Sequence, residues 1–249
     1  MANTKFQYVR CFEESDACLP DTYMVVRIDG RGFTKFCKAH DFKKPNDKRA
    51  LDLMNCCALQ ILNDFPDIVL AFGESDEYSF LFKRKSKVFN RRRSKITSSI
   101  VSLFSACYVF HWNEFIDTPL KQVPQFDGRL VLYPNDQVMR DYFRWRQADC
   151  HINNLYNTTL WNLVLKGNLT LADATEELKG TLSKDKNEIL FSKFQINYNN
   201  EPEIFRKGSV ALQMLNTEEK RQKKAKFVPE IYHIDIMKDG FWEKLNCIK

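Results

Sequence analysis

Apolar and β-branched residues run almost unbroken through 22–28 (TYMVVRI), which predicts a buried strand. Residues 29–32 (DGRG) end it as a turn, and 33–40 hold a short helix at best. From Asp47, a suitable cap, the residues Leu51, Met54, Cys57 or Ala58, and Ile61 or Leu62 form an apolar stripe at helical spacing. That helix stops near 63–64, with Pro66 beyond. Two further apolar runs, 68–72 (IVLAF) and 77–82 (EYSFLF), flank a turn at 73–76 (GESD) and predict a hairpin. A long helix follows over about 94–115, then a loop marked by Pro119 and Pro124, then a fourth strand at 129–133 (RLVLY). The order βαββαβ predicts an α+β, ferredoxin-like or palm core. Its antiparallel sheet has helices on one face and leaves the other for a large ligand.

From about 135 the pattern is mostly helical, over 135–148, 153–165, 171–178 and 185–191. Residues 209–214 and 231–236 are strand-like and flank a basic run at 220–226 (KRQKKAK) as a hairpin. No linker composition separates the two parts. Residues 1–134 therefore form the core, and 135–249 a helical part packed on it as one structural unit. Phe80, Phe82, Phe104 and Phe110 fall on core faces.

Composition narrows the picture. The 249 residues carry 38 Lys+Arg against 32 Asp+Glu, a net charge of +6, and 13% aromatics, which excludes a disordered chain. The uncharged stretch 96–113 is rich in Ser and Thr and suits a buried helix, not a membrane span. Residues 1–16 have neither the apolar core of a secretory signal nor that of a transmembrane segment. Eight Cys without a C-x-x-C, and four His, suit neither a zinc site nor a disulfide framework. Reduced thiols point to a cytoplasmic or nuclear setting, with the mitochondrion as a further compartment. The segment 83–95 (KRKSKVFNRRRSK) has eight basic residues and no acid. It would either contact a polyanion or form a solvated loop.

The candidate chemistry lies in the turns. Asp29 ends a buried strand, and Asp76 and Glu77 sit at the hairpin turn one crossover helix later. In a βαββ unit the first strand lies beside the hairpin, so these carboxylates would meet. Close carboxylates repel, and hard divalent cations relieve the repulsion. Two magnesium ions so held could clamp a phosphoryl transfer. A D-G pair after a strand is also a common turn, and GESDE would suit a solvated hairpin tip. The combination favours a metal-dependent nucleotide site: acids in both turns, three of the eight Gly with them, and a basic run following. A second stretch, 151–157 (HINNLYN), puts Asn153 and Asn157 one helical turn apart, with His151 one turn before Asn154. Ile152, Leu155, Tyr156 and Leu160 would pack underneath. The asparagines would bond RNA bases or sugars, or serve as caps and internal hydrogen bonds.

The motifs VVRIDGRGF, KPND, GESDEYSF, HINNLYN and NYNNEPE, in that order, together resemble tRNA-His guanylyltransferases of the eukaryotic type, from about Lys5 to the C-terminus. The resemblance implies a palm similar to that of polymerases and nucleotidyl cyclases, two Mg2+ ions per active site, and a homotetramer. It implies addition of one guanylate to the 5′ end of tRNA-His in the 3′–5′ direction. ATP first adenylylates the 5′ monophosphate, the 3′ hydroxyl of GTP then displaces AMP, and pyrophosphate is finally removed. Its partners are therefore tRNA-His, GTP and ATP, with no membrane. By motif position, Asp29 and Asp76 would be catalytic metal carboxylates, the Gly30 carbonyl a further ligand, and Glu77 a supporting catalytic acid. Asp29, Gly30, Arg31, Gly32, Phe33 and Thr34 would wrap the nucleotide, with Ser75 and Asp76 beside it and Lys44, Arg92 and Lys95 neutralising phosphates. Thr34 stands where many relatives have His, so only its backbone role carries over. His151, Asn154 and Asn157 would meet the tRNA 5′ end. Arg27 would touch it too, or pair with an acid within the sheet. A nucleotidyl cyclase on the same palm and a non-catalytic tRNA-binding protein are the rival functions.

Overall fold

The structure, a computed structural model, describes residues 4–215 and 227–246. The basic run 220–226 lies outside them. Strand β1 (Tyr23–Gly30) leads into helices α1 (Phe33–Ala39) and α2 (Lys48–Asp64), then the hairpin of β2 (Ile68–Glu74) and β3 (Glu77–Phe82). Helices α3 (Arg93–Phe110) and α4 (Trp112–Phe115) precede β4 (Phe126–Tyr133). Four helices follow: α5 (Asp136–Leu165), α6 (Leu171–Leu178), α7 (Ser183–Phe194) and α8 (Glu203–Lys207). Strands β5 (Ser209–Leu215) and β6 (Phe227–Tyr232) and helix α9 (Asp239–Asn246) complete the described chain.

The βαββαβ core is present. Its four strands belong to a six-stranded sheet of order β4-β1-β3-β2-β5-β6, antiparallel at every pairing. The strand-like stretches after 208 pair as β5 and β6 and extend the sheet from the free edge of β2. Side chains alternate along each strand with the period of two that a pleat imposes. Met24, Val26 and Ile28 of β1, with Tyr78, Phe80 and Phe82 of β3, pack with α2 and α3. Tyr23, Val25 and Leu81 point the other way, onto Met139, Tyr142 and Phe143 of α5 and Trp242 of α9. Burial on both faces explains why these strands read as continuous apolar runs. It also corrects one expectation. The face opposite α2 and α3 is occupied by α5 and α9, so a ligand must be met at the strand ends.

Two helix boundaries differ from the sequence reading. Residues 135–148 and 153–165 are one continuous helix of 30 residues, α5. Nothing in 149–152 is Gly or Pro, and Asp149 pairs within the helix with Arg146 at 3.2 Å, at i,i+3 spacing. The helix expected over 94–115 breaks at His111. Phe110, expected in the core, is the last residue of α3 and is 77% exposed. Ile152 is likewise exposed and not packed beneath α5. The α2 start is as its cap residue predicts: the Asp47 carboxylate accepts the Arg49 N–H at 3.1 Å. Among the described residues all seven cysteines are free thiols. No described helix is long and apolar enough to cross a membrane.

Candidate active site

Register brings the acids together. Asp29 on β1 lies directly opposite Glu77 on β3 and Asp127 on β4, and Glu77 lies opposite Glu74 on β2. Asp127, Asp29, Glu77 and Glu74 thus form one transverse row across four adjacent strands. Directly opposed residues share a face, and like charges so placed repel. The same face carries the compensation. Arg27 Nε lies 3.7 Å from Glu77. Arg146 of α5, almost fully buried, lies 3.4 Å from Glu74 and 3.2 Å from both Glu77 and Asp149. Burial raises the Glu77 carboxyl, and Arg146 and Arg27 oppose the rise while Asp29 adds to it. Glu74 is pushed up to about 8, by burial first and then by the Glu77 charge.

Asp76 closes the site at the hairpin turn. Its carbonyl accepts the Gly30 N–H at 3.1 Å, which fixes the Asp29–Gly30 turn against it. A Cβ on Gly30 would lie 2.7 Å from Asp76 Oδ2 and collide with the Phe33 ring, so a hydrogen is all this position admits. The Ser75 hydroxyl donates to Asp76 Oδ1 at 2.8 Å, from a residue with φ of +49°. Burial raises the Asp76 carboxyl, Ser75 pulls it down, and the Asp29 charge adds to the rise. Gly32, at φ +70°, turns the chain into α1. The Phe33 ring is buried against Phe36 and Phe126, so only its backbone faces the turn. Thr34 and Arg31 are exposed. The Gly30 N–H is taken by Asp76, and the Arg31 N–H donates to the Gln125 carbonyl at 2.8 Å. A phosphate wrap by every N–H from Gly30 to Thr34 is therefore narrowed to Gly32, Phe33 and Thr34. The Lys44 ammonium rests over the Trp161 ring of α5, 5.4 Å from its centre. The half-buried Cys37 thiol of α1 is pushed up to about 11 by burial, while Lys44 pulls it down and Asp76 pushes it further up.

Arg92 and Lys95 have partners of their own. Arg92 pairs with Asp16 at 3.6 Å, and Lys95 stacks over Phe89 at 4.7 Å. Neighbouring Arg91 donates to the carbonyls of Cys18, Leu19 and Thr22, before the start of β1. At ~3.3 Å per residue, Thr22 is about 23 Å along the strand from Asp29. The cause is β3 itself: it begins at the acidic turn and carries the chain away before the basic run starts. The run then turns back: Arg93 donates to the Leu130 carbonyl at 2.6 Å, and Leu130 lies opposite Val26, three positions from Asp29.

On α5, His151 and Asn157 are exposed and Asn154 is buried. Burial, and then the Arg206 charge, lower the His151 pKa, which favours a neutral imidazole. Asn154 Oδ1 accepts from Asn46 at 2.8 Å, and its Nδ2 donates to the Tyr198 hydroxyl at 2.9 Å. This is internal hydrogen bonding, not an exposed RNA contact, because both ends of the amide are already paired. Arg27, too, is a sheet residue paired with an acid.

Sequence reasoning missed Arg146, Glu74, Asn46 and Tyr198. The available signal was an arginine in the buried stripe of α5, with Met139, Tyr142, Phe143 and Cys150 as its apolar neighbours. Among the described residues no group of three or more His, Cys, Asp or Glu side chains is poised around one point. Asp29 and Asp76 could offer hard oxygen donors to a cation, whose other ligands would then be backbone, water and phosphate oxygens. That mixture fits magnesium.

Comparison with known proteins is consistent along the whole chain. A family model described as tRNAHis guanylyltransferase matches residues 6–134, and one described as Thg1 C terminal domain matches 137–238. A tRNA(His) guanylyltransferase of Schizosaccharomyces pombe is 52% identical over 250 residues, covering 97% of this chain and 96% of the relative. The crystal structure of the tRNA(His) guanylyltransferase of Saccharomyces cerevisiae is similar with a TM-score of 0.80 at 51% identity, over 83% of this chain and 92% of that one. A bacterial Thg1-like protein solved in complex with ATP shares the fold, with a TM-score of 0.76 at 23% identity and 96% of each chain covered.

Proposed function

The chain belongs to the tRNA(His) guanylyltransferase family of nucleotidyltransferases, and from that premise we propose that it adds one guanylate to the 5′ end of tRNA-His in the 3′–5′ direction. The meeting of Asp29 and Asp76 beside Gly30, at the acidic rim of the sheet, carries this reading.

In the first step a 5′-phosphate oxygen of the tRNA attacks the α-phosphorus of ATP and pyrophosphate leaves. In the second the 3′ hydroxyl of GTP attacks the activated 5′ phosphorus, its proton goes to solvent, and AMP leaves. Hydrolysis then removes pyrophosphate from the added nucleotide. Asp29, Asp76 and the Gly30 carbonyl would hold two magnesium ions, which supply charge neutralisation and lower the pKa of the attacking hydroxyl. The N–H groups of Gly32, Phe33 and Thr34 at the start of α1 are placed to take phosphate oxygens, as such turns do. Lys44 adds a cation on that side. Ser75 keeps the Asp76 carboxylate oriented. Glu77, held between Arg27 and Arg146, supports the site as a fixed charge. His151 and Asn157 remain free on the surface of α5 for the tRNA 5′ end. The reading includes a homotetramer, for which exposed Phe12 and Phe110 offer apolar surface to bury.

The test is one labelling assay: 5′-monophosphorylated tRNA-His with ATP, labelled GTP and Mg2+, against the same tRNA with its anticodon exchanged. Label is expected on tRNA-His alone. Asp29→Ala and Asp76→Ala are each expected to cut it by more than about 100-fold with unchanged far-UV circular dichroism, since loss of even a residue behind a metal ligand costs about 10–100-fold. Cyclic product from GTP alone, or tRNA binding without label, would contradict the proposal.

A further inference from the structure

Asn154 joins three stretches that are remote in sequence. Its side chain is buried, at 6% exposure. On one side it accepts from Asn46 Nδ2 at 2.8 Å. On the other it donates to the Tyr198 hydroxyl at 2.9 Å, and that hydroxyl donates on to the His151 carbonyl at 3.4 Å. The Tyr198 ring stands edge-on to the His151 ring, 5.4 Å between centroids.

Asn46 lies two residues after Lys44, in a short loop that ends on the α2 cap. Asp47 ties that loop to itself by accepting the Lys43 N–H at 3.1 Å. The loop touches α5 at two points: the Asn46–Asn154 bond, and the Lys44 ammonium 5.4 Å from the centre of the Trp161 ring. A side-chain hydrogen bond next to a short, capped loop leaves Lys44 little freedom of placement.

We infer that Asn154 is a positioning residue for nucleotide binding: through Asn46 it sets the loop that carries Lys44, and it does not touch RNA. This rests on the reading of Lys44 as a phosphate-neutralising cation. The pair joins the loop before α2 to the buried side of α5. The same amide, through Tyr198, ties that loop to the backbone carbonyl of His151, whose side chain is exposed.

The test is a binding cycle on the full chain with Asn46→Ala, Asn154→Ala, the double variant and Lys44→Ala. Two affinities are measured: labelled GTP with Mg2+, and 5′-monophosphorylated tRNA-His without nucleotide. Loss of one neutral hydrogen bond predicts that Asn46→Ala and Asn154→Ala each weaken GTP binding by the same factor, about 2–10-fold. The double variant should be no weaker than either single one, and tRNA affinity should not move. A purely structural role would not separate the two ligands. Weaker tRNA binding in Asn154→Ala with unchanged tRNA binding in Asn46→Ala would overturn the inference, as would additive losses. Asn46 is on the surface side of the pair, so Asn46→Ala decides the matter even if Asn154→Ala fails to fold: unchanged GTP affinity overturns the inference. Lys44→Ala separates the layers. If it weakens GTP binding while the asparagines do not, only the positioning role falls. If Lys44→Ala itself leaves GTP affinity unchanged, the phosphate role of Lys44 falls and the inference with it.

Discussion

At the scale of single residues the site depends on what is missing at position 30. The Gly30 N–H is bonded to the Asp76 carbonyl, and the space a side chain would take holds the Phe33 ring and an Asp76 oxygen. A methyl group there must displace one of them. Phe33 is packed against three aromatic rings, whereas Asp76 is held by a single serine hydroxyl. The carboxylate is therefore the group that yields. Gly30→Ala is expected to lower turnover by about 100-fold, as a ~1 Å misplacement at a reacting centre does. The Tm should fall only modestly. Measured turnover within a few-fold of the parent protein would show that the carboxylate position is not critical. Arg146 illustrates the opposite case, a residue whose value lies in its charge. It neutralises a row of acids that the β register forces into line, and it comes from a helix no motif connects to them.

At the scale of elements, capping and periodicity were readable from the chain. Asp47 was visible as the cap of α2, and it also accepts from the Arg49 guanidinium and the Lys43 N–H. Burial alone would raise its carboxyl, but these donors together outweigh burial and hold it below the usual carboxylate range. A depressed folded pKa gives stability that is present above the unfolded value of about 3.9 and is lost as pH falls through the folded value. Asp47→Ala is thus expected to cost about 0.5–2 kcal/mol at neutral pH. In urea unfolding, the gap between parent and variant should shrink at pH 3; an equal gap at both pH values would contradict this. The strands and the acid turns were legible for the same reason, since alternation and turn residues are local signals. The continuity of α5 was not, because the polar groups of 149–152 find their partners at Arg146 one turn earlier and at Phe205 and Tyr198, far along the chain. Closeness in sequence to an acidic turn does not by itself put Arg92 and Lys95 beside it, because β3 first carries the chain to the other end of the sheet and α3 then returns it. Asn154 was assigned outward because a helical asparagine gives no sequence sign of a buried partner 108 positions away.

At the scale of the molecule the sheet has a chemically distinct end. Acids gather where β1 ends, β4 and β3 begin and β2 ends. Arg91 of the basic segment 83–95 is tied to the opposite end at Thr22, about 23 Å away along β1, and Arg93 at the start of α3 already leads back, bonded to Leu130. Helices cover both faces, and the proposed function puts phosphate chemistry at the acidic rim. The net charge of +6 favours a polyanionic partner for the molecule, while the rim itself is negative and calls for cations before a phosphate approaches. The central claim is therefore that Asp29 and Asp76 bind metal as one unit. Electron paramagnetic resonance of Mn2+, titrated with a non-hydrolysable GTP analogue present, measures this without catalysis. Bound Mn2+ should be seen in the parent protein and lost to a similar degree in Asp29→Asn and in Asp76→Asn, with little further loss in the double variant. Mn2+ bound as tightly in either single variant as in the parent would contradict the account.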